Sequence, residues 1–245
     1  MSDFAGLVEW FGAAEHWSGT DGVPVRLVEH LWLSAVPLAL AILLALPVGL
    51  VIGHTRRFEL LAVTIANLGR AIPSFAILSI AFQVVLRLWP DQAFGFLPTV
   101  AALVLLGLPP ILTNAYVGVQ TVDEDTVEAA RGMGMREGQI LARLELPLAS
   151  PLIMAGIRTA AVQIVATATL AALIGGGGLG RYIIDGFAQQ NIPEVLAGAV
   201  LVAGLSIVTE VAFAILERVL APRTSSERRA RREEGSFSRP EVRPA

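Results

Sequence analysis

Residues 31–52 read LWLSAVPLALAILLALPVGLVI and contain no charged side chain. The hydrocarbon core of a bilayer is about 30 Å thick and takes roughly 20 apolar residues of helix to cross. This stretch therefore reads as a membrane span, and it sets the class of the whole chain. Outward from it lie four more apolar regions: 60–88, broken only by Arg70 and Arg87; 98–119, with no charge; 151–174, with Arg158 alone; and 195–216, with Glu210 alone. The expectation is an all-α membrane protein with about five transmembrane helices. As one helix, 60–88 would reach about 43 Å, so it either kinks at Pro73 or divides into two short helices. A single kinked span is the preferred reading.

The arginines decide that preference, because cytoplasmic loops next to membrane helices collect basic residues. His54-Thr55-Arg56-Arg57 follows the first span. Arg131, Arg136 and Arg143 lie between the third and fourth, and Arg218, Arg223, Arg228, Arg229, Arg231 and Arg232 follow the fifth. By contrast, 89–97 has no arginine and 175–194 has only Arg181. Five spans place every arginine-rich segment on one side, and six would not. The N-terminus is thus expected outside and the C-terminus in the cytoplasm. Residues 1–22 form an extracytoplasmic segment in which Phe4, Leu7, Val8, Phe11, Ala14 and Trp17 recur at the spacing of an interfacial helix. The transmembrane domain covers 23–220. Residues 221–245 are too polar to bury a core and are expected to be a disordered, basic cytoplasmic tail, with solvation of its arginines favoured over contact with anionic lipid.

Composition excludes other classes. Of 245 residues, 54% are hydrophobic and only 16% charged, against about 25% charged in a soluble domain. All 18 basic residues are arginine, outnumbered by 21 acids, which gives no basic surface for nucleic acid. There is no cysteine, so disulfides, thiolate metal sites and a thiol nucleophile drop out together. His16, His30 and His54 are scattered and show no metal-ligand spacing. Neither a catalytic constellation nor a metal site is expected.

The longest polar segment between spans is 120–150, QTVDEDTVEAARGMGMREGQILARLELPLAS. It is too long for a turn and too apolar for a linker, and reads as a docking element. Asp125 three residues before Glu128 fits a helix N-cap with an acid at N3, so Thr126 to Arg131 should open a helix that Gly132 and Gly134 interrupt. Met133 and Met135 offer flexible thioethers suited to a partner groove. A second short helix through Ile140, Leu141 and Leu144 follows, and Pro147 with Pro151 should restart the chain as the fourth span.

At these residues the chain resembles a known family. Glu128-Ala129-Ala130, three residues, Gly134, nine residues, then Leu144-Glu145-Leu146-Pro147 resembles the EAA motif of permease subunits of ATP-binding-cassette importers, with Leu144 where the pattern has Ile. The flanks narrow the likeness. Glu29-His30-Leu31-Trp32-Leu33-Ser34, Pro47-Val48-Gly49-Leu50, Ala71-Ile72-Pro73-Ser74, Gly132-Met133-Gly134-Met135, residues 151–160 and Gly175 to Gly180 resemble permeases of osmoprotectant importers for glycine betaine, carnitine, choline and proline. The resemblance implies a type I importer transmembrane domain working by alternating access in a bacterial inner membrane. It implies that Glu128, Ala129, Ala130, Gly132, Met133, Gly134, Leu144 and Pro147 form a coupling surface for an ATPase subunit. ATP is then bound by that partner, and the chain itself carries no cofactor. An extracytoplasmic solute-binding protein and a second permease subunit complete the assembly, with a heterodimer of paralogues favoured over a homodimer.

Other residues are assigned more loosely. Gly175, Gly176, Gly177, Gly178 and Gly180 lack the Lys-Ser/Thr of a phosphate loop and read as a sharp turn at the outer mouth. Asn67, Ser74, Gln83, Asn114, Gln163 and Thr167 are polar at membrane depth and are candidates for the translocation path, with helix packing as the alternative. Arg158 and Glu210 lie at matching depths and are expected to pair, with Arg70 as the competitor for Glu210. Methionine, phosphonate or ergothioneine uptake is the alternative within the importer class, and a non-transport membrane scaffold the alternative outside it.

Overall fold

A computed structural model describes residues 2–220. The expected disordered tail at 221–245 lies outside the described residues. Among them the secondary structure is helical: α1 Ser2–Gly12, α2 Val23–Thr55, α3 Glu59–Ala71, α4 Ser74–Leu88, α5 Phe96–Gln120, α6 Glu124–Gly132, α7 Glu137–Ile140, α8 Leu146–Thr167, α9 Gly180–Ala188 and α10 Ile192–Leu220. Four helical stretches, Val23–Thr55, Phe96–Gln120, Glu137–Ile174 and Ile192–Val219, are long and apolar enough to cross a membrane.

The centre is a three-helix seam of α2, α5 and α8. Along α2, Ala41, Ala45, Gly49 and Gly53 recur every fourth residue and are buried, a stripe of small side chains on one face. Against α5 this stripe leaves no room for anything larger. A Cβ on Gly53 would fall 2.7 Å from the Cβ of Val119 and 2.8 Å from the carbonyl oxygen of Tyr116. The α5–α8 contact works the same way, with Gly156 set against Asn114 and the Pro110 carbonyl. Ile111, Ala115, Ile153, Ile157 and Ala160 fill the seam.

The region 60–88 differs from the expected single kinked span. It is two helices, α3 of 13 residues and α4 of 15, about 20 and 22 Å long. Neither alone spans a bilayer. The cause is Pro73, which drives the preceding residue out of the helical region; Ile72 is extended, at φ −80 and ψ 126. The two helices nonetheless follow α5 in succession. Glu59 meets Gln120 at 3.3 Å and Arg70 meets Thr113 at 3.3 Å, while Ile77, Leu78 and Ala81 pack with Ala102, Leu103 and Leu106. Together they cover the length of α5 once.

On the far side of α8 lie α10, α9 and α1. The N-terminal segment is a helix to Gly12 followed by a 3-10 turn at Ala14–Trp17. Trp10, outside the apolar stripe read from sequence, is its most enclosed residue at 5% exposure, packed with Leu179, Tyr182 and Val202. Phe4 and Val8 face outward.

Candidate functional site

The helix that opens the 120–150 segment begins two residues earlier than sequence spacing suggests. The N-cap is Asp123 rather than Asp125; its carboxylate accepts from the Thr126 N–H at 3.1 Å. Val122 and Val127 are buried on either side of the cap, with Ala130 and Ile140 in the same cluster, and this anchoring sets the register. Glu124 and Asp125 then sit in the first turn, where the helix dipole favours acids.

The helix ends in a tight reversal. Gly134 has φ +85, and a Cβ there would meet nothing within 4 Å. Its backbone is left-handed and bare. Glu128, Ala129, Gly132, Met133 and Gly134 are exposed, Met133 at 77%, whereas Ala130 is buried and Leu144 and Met135 pack half-buried beneath. The loop thus presents small residues and one long thioether outward from an apolar base. Arg131 is turned back onto its own segment: its Nε and Nη2 donate to the two carboxylate oxygens of Glu137 at 2.8 and 3.1 Å. That hydrogen bond holds the Glu137 carboxyl below the usual carboxylate range.

Pro147 does not restart the chain. From Glu137 the helix runs on through a π turn at Leu141–Glu145 into α8, in which the Leu146 N–H donates to the Leu141 carbonyl. A proline ring clashes with the carbonyl four residues back, and the wider π turn gives Pro147 that room. The same extra residue puts Ile140 and Glu145, five apart, both on the inner face, at 0% and 4% exposure.

Glu145 meets the end of α2. Its Oε2 lies 2.5 Å from His54 Nδ1, and His54 Nε2 lies 3.1 Å from Glu137 Oε2. Arg56, beyond the helix end, reaches Glu124 at 3.3 Å. Sequence reading missed His54 and Glu145 as a pair, since they stand 91 positions apart. The one available signal was the spacing of Glu145 to Ala149 and Ile153 along the inner stripe of α8.

At the other end, the glycine turn is clamped to the first turns of α2. Gly178, at φ +87, donates its N–H to Glu29 Oε2 at 2.8 Å, and the Leu179 N–H donates to His30 Nδ1 at 3.2 Å. Gly175 is also left-handed, and the Gly95 N–H donates to the Ile174 carbonyl at 2.8 Å.

The polar residues proposed for the path are not gathered into one channel. Ser74 and Thr167 line a small cavity with Thr99. Asn114 sits in the α5–α8 seam and donates to the Pro110 carbonyl at 2.8 Å. Gln83 lies with Ser79 and Arg87 on an open face of α4, and Asn67 and Gln163 are exposed elsewhere. The structure does bring Arg158 to Glu210, at 3.4 Å, and adds Glu217 at 3.2 Å. Arg70 instead donates to Thr113.

Four helical stretches long and apolar enough to cross a membrane make this a multi-pass membrane protein. The chain belongs to the family described as binding-protein-dependent transport system inner membrane component, matched over residues 38–226. It is 37% identical to the choline transport system permease protein OpuBB of Bacillus subtilis, over 80% of this chain and 88% of that one. Identity is also 37% to the carnitine transport permease protein OpuCB of Listeria monocytogenes, over 84% and 91%, and 34% to the osmoprotectant import permease protein OsmW of Salmonella typhimurium, over 80% and 90%. Among solved structures, an inward-facing MetNI methionine ABC transporter chain superimposes with a TM-score of 0.72 at 22% identity, covering 82% of this chain and 97% of that one. That likeness shows a shared fold.

Proposed function

We propose that the chain is the permease subunit of an inner-membrane importer for a compatible solute: glycine betaine, choline, carnitine or proline. Two permease subunits, favoured as a pair of paralogues, enclose the path. Separate ATPase subunits bind and hydrolyse ATP, and an extracytoplasmic binding protein delivers the solute. Relatives named for choline, carnitine and osmoprotectants support the substrate class. The observation that carries the mechanism is the exposed face of Glu128, Ala129, Gly132, Met133 and Gly134 on its buried apolar base. Small residues permit close approach of a partner, and the anchored base transmits its movement.

Gly134 separates docking from folding. Asparagine tolerates left-handed backbone and meets no neighbour there, so Gly134→Asn is expected to insert and fold normally. Its side chain stands where the ATPase subunit would approach, so recruitment of that subunit and solute uptake should fall, and further for Gly134→Asp. Co-purification and uptake of labelled betaine, choline, carnitine, proline and methionine in a deletion strain measure both. Full uptake by Gly134→Asp would sink the coupling assignment, and uptake of methionine alone would replace the substrate class.

A further inference from the structure

We propose that His54 is the pin that delivers movement of the coupling loop to α2, a role that rests on the importer reading above. Both of its ring nitrogens face carboxylates, Glu145 at 2.5 Å and Glu137 at 3.1 Å. The Glu145 contact is a hydrogen bond and the Glu137 contact lies within ion-pair distance. His54 stands in the last turn of α2, where the helix dipole favours a cation. Glu145 is 4% exposed, and a buried carboxylate without a partner is costly. Among the described residues His54 is its hydrogen-bond partner.

The contacts form an unbroken line. Arg131, next to the exposed Gly132–Gly134 reversal, grips Glu137 side-on through Nε and Nη2. Glu137 holds His54, and His54 holds Glu145 in the π turn that leads into α8. Beside this line, a cavity of about 150 Å³ separates Gly53 to Arg56 from Val127 and Arg131 of α6. Charged side chains bridge that gap, where apolar packing does not fill it. A displacement of α6 therefore reaches α2 through the pin, beside the more exposed Arg56–Glu124 pair. From there it meets no slack, because Gly53 is in contact with α5.

The test uses the complete importer with its ATPase subunits and binding protein in liposomes. His54→Leu is expected to assemble and to retain basal ATP hydrolysis, while solute-stimulated hydrolysis and uptake fall about tenfold, within the usual range of coupling between sites. His54→Lys supplies a cation with several donors to the same two carboxylates and should recover much of that loss. His54→Leu also strands the Glu145 carboxylate, so the double variant His54→Leu/Glu145→Gln is included to remove that charge. It should melt like the wild type yet stay uncoupled. Normal uptake by the double variant would overturn the pin, as would a failure of His54→Lys to recover any stimulation. A wild-type complex whose ATP hydrolysis ignores the solute would remove the importer reading itself, and the pin with it.

Discussion

His30 shows how far a single residue can depart from its appearance in the sequence. It is fully enclosed, and its two partners fix its chemistry. The Leu179 N–H can only donate, so Nδ1 carries no proton; the Val165 carbonyl, 2.9 Å from Nε2, can only accept, so Nε2 does. His30 is thus a neutral brace between α2, the end of α8 and the glycine turn. Replacing it with leucine leaves the Leu179 N–H buried and unpaired, at a cost of about 1–3 kcal/mol. Thermal unfolding in detergent should show that loss for His30→Leu and partial recovery for His30→Gln; equal melting of His30→Leu and wild type would mean the brace contributes nothing. None of this was legible in spacing, since the partners lie 135 and 149 positions away. What the sequence did show was the glycine run, whose left-handed Gly175 and Gly178 are the turn its composition implied.

At the scale of elements, the apolar runs located the helices, and local chemistry moved their ends. Long apolar stretches, charge-free at 98–119 and interrupted only by Glu210 at 195–216, register burial in lipid, so α5 and α10 lie where hydropathy put them. Hydropathy is blind to the first turns of α2, which start at Val23, well before the apolar run, because Arg26, Glu29 and His30 there are held by side-chain and backbone partners. It is equally blind to the π turn that carries the chain through Pro147. The Arg158 fork is another such case. The expected partner Glu210 is present, but Glu217, two turns along the same face of α10, shares the cation. It escaped notice because it adjoins Arg218 and reads as part of the polar end. The fork makes the carboxylates redundant. Glu210→Gln alone should lower stability only slightly, whereas Glu210→Gln/Glu217→Gln leaves Arg158 unpaired beside lipid, where an uncompensated charge costs about 2.5–3.5 kcal/mol on insertion scales. Expression and melting of the two single variants and the double variant should therefore be strongly non-additive, and a purely additive series would mean that Arg158 is solvated.

For the molecule as a whole, the structure sorts its connecting segments into two ends. The Tyr182 hydroxyl donates to the Asp21 carbonyl at 2.6 Å and the Gly95 N–H to the Ile174 carbonyl, so the arginine-poor segments before α2, between α4 and α5, and around α9 meet at one end. His54, Arg56, Glu124, Arg131, Glu137 and Glu145 meet at the other. With α3 and α4 jointly covering one length of α5, we propose five crossings, for which the positive-inside rule would turn the His54 end toward the cytoplasm. The chain has no cysteine, so introduced thiols report without background. Ser18, Gln189 and Thr126 are all exposed; only the membrane decides which of them a reagent reaches. Gln189 is preferred to its neighbour Gln190, whose φ of +56 would confound the substitution with backbone strain. In intact cells Ser18→Cys and Gln189→Cys should react with an impermeant maleimide, and Thr126→Cys only after permeabilisation. Reaction of Thr126→Cys alone would invert the orientation. Reaction of Thr126→Cys together with Ser18→Cys would break the five-crossing parity, and with it the placement of the coupling loop on the side where ATP is found.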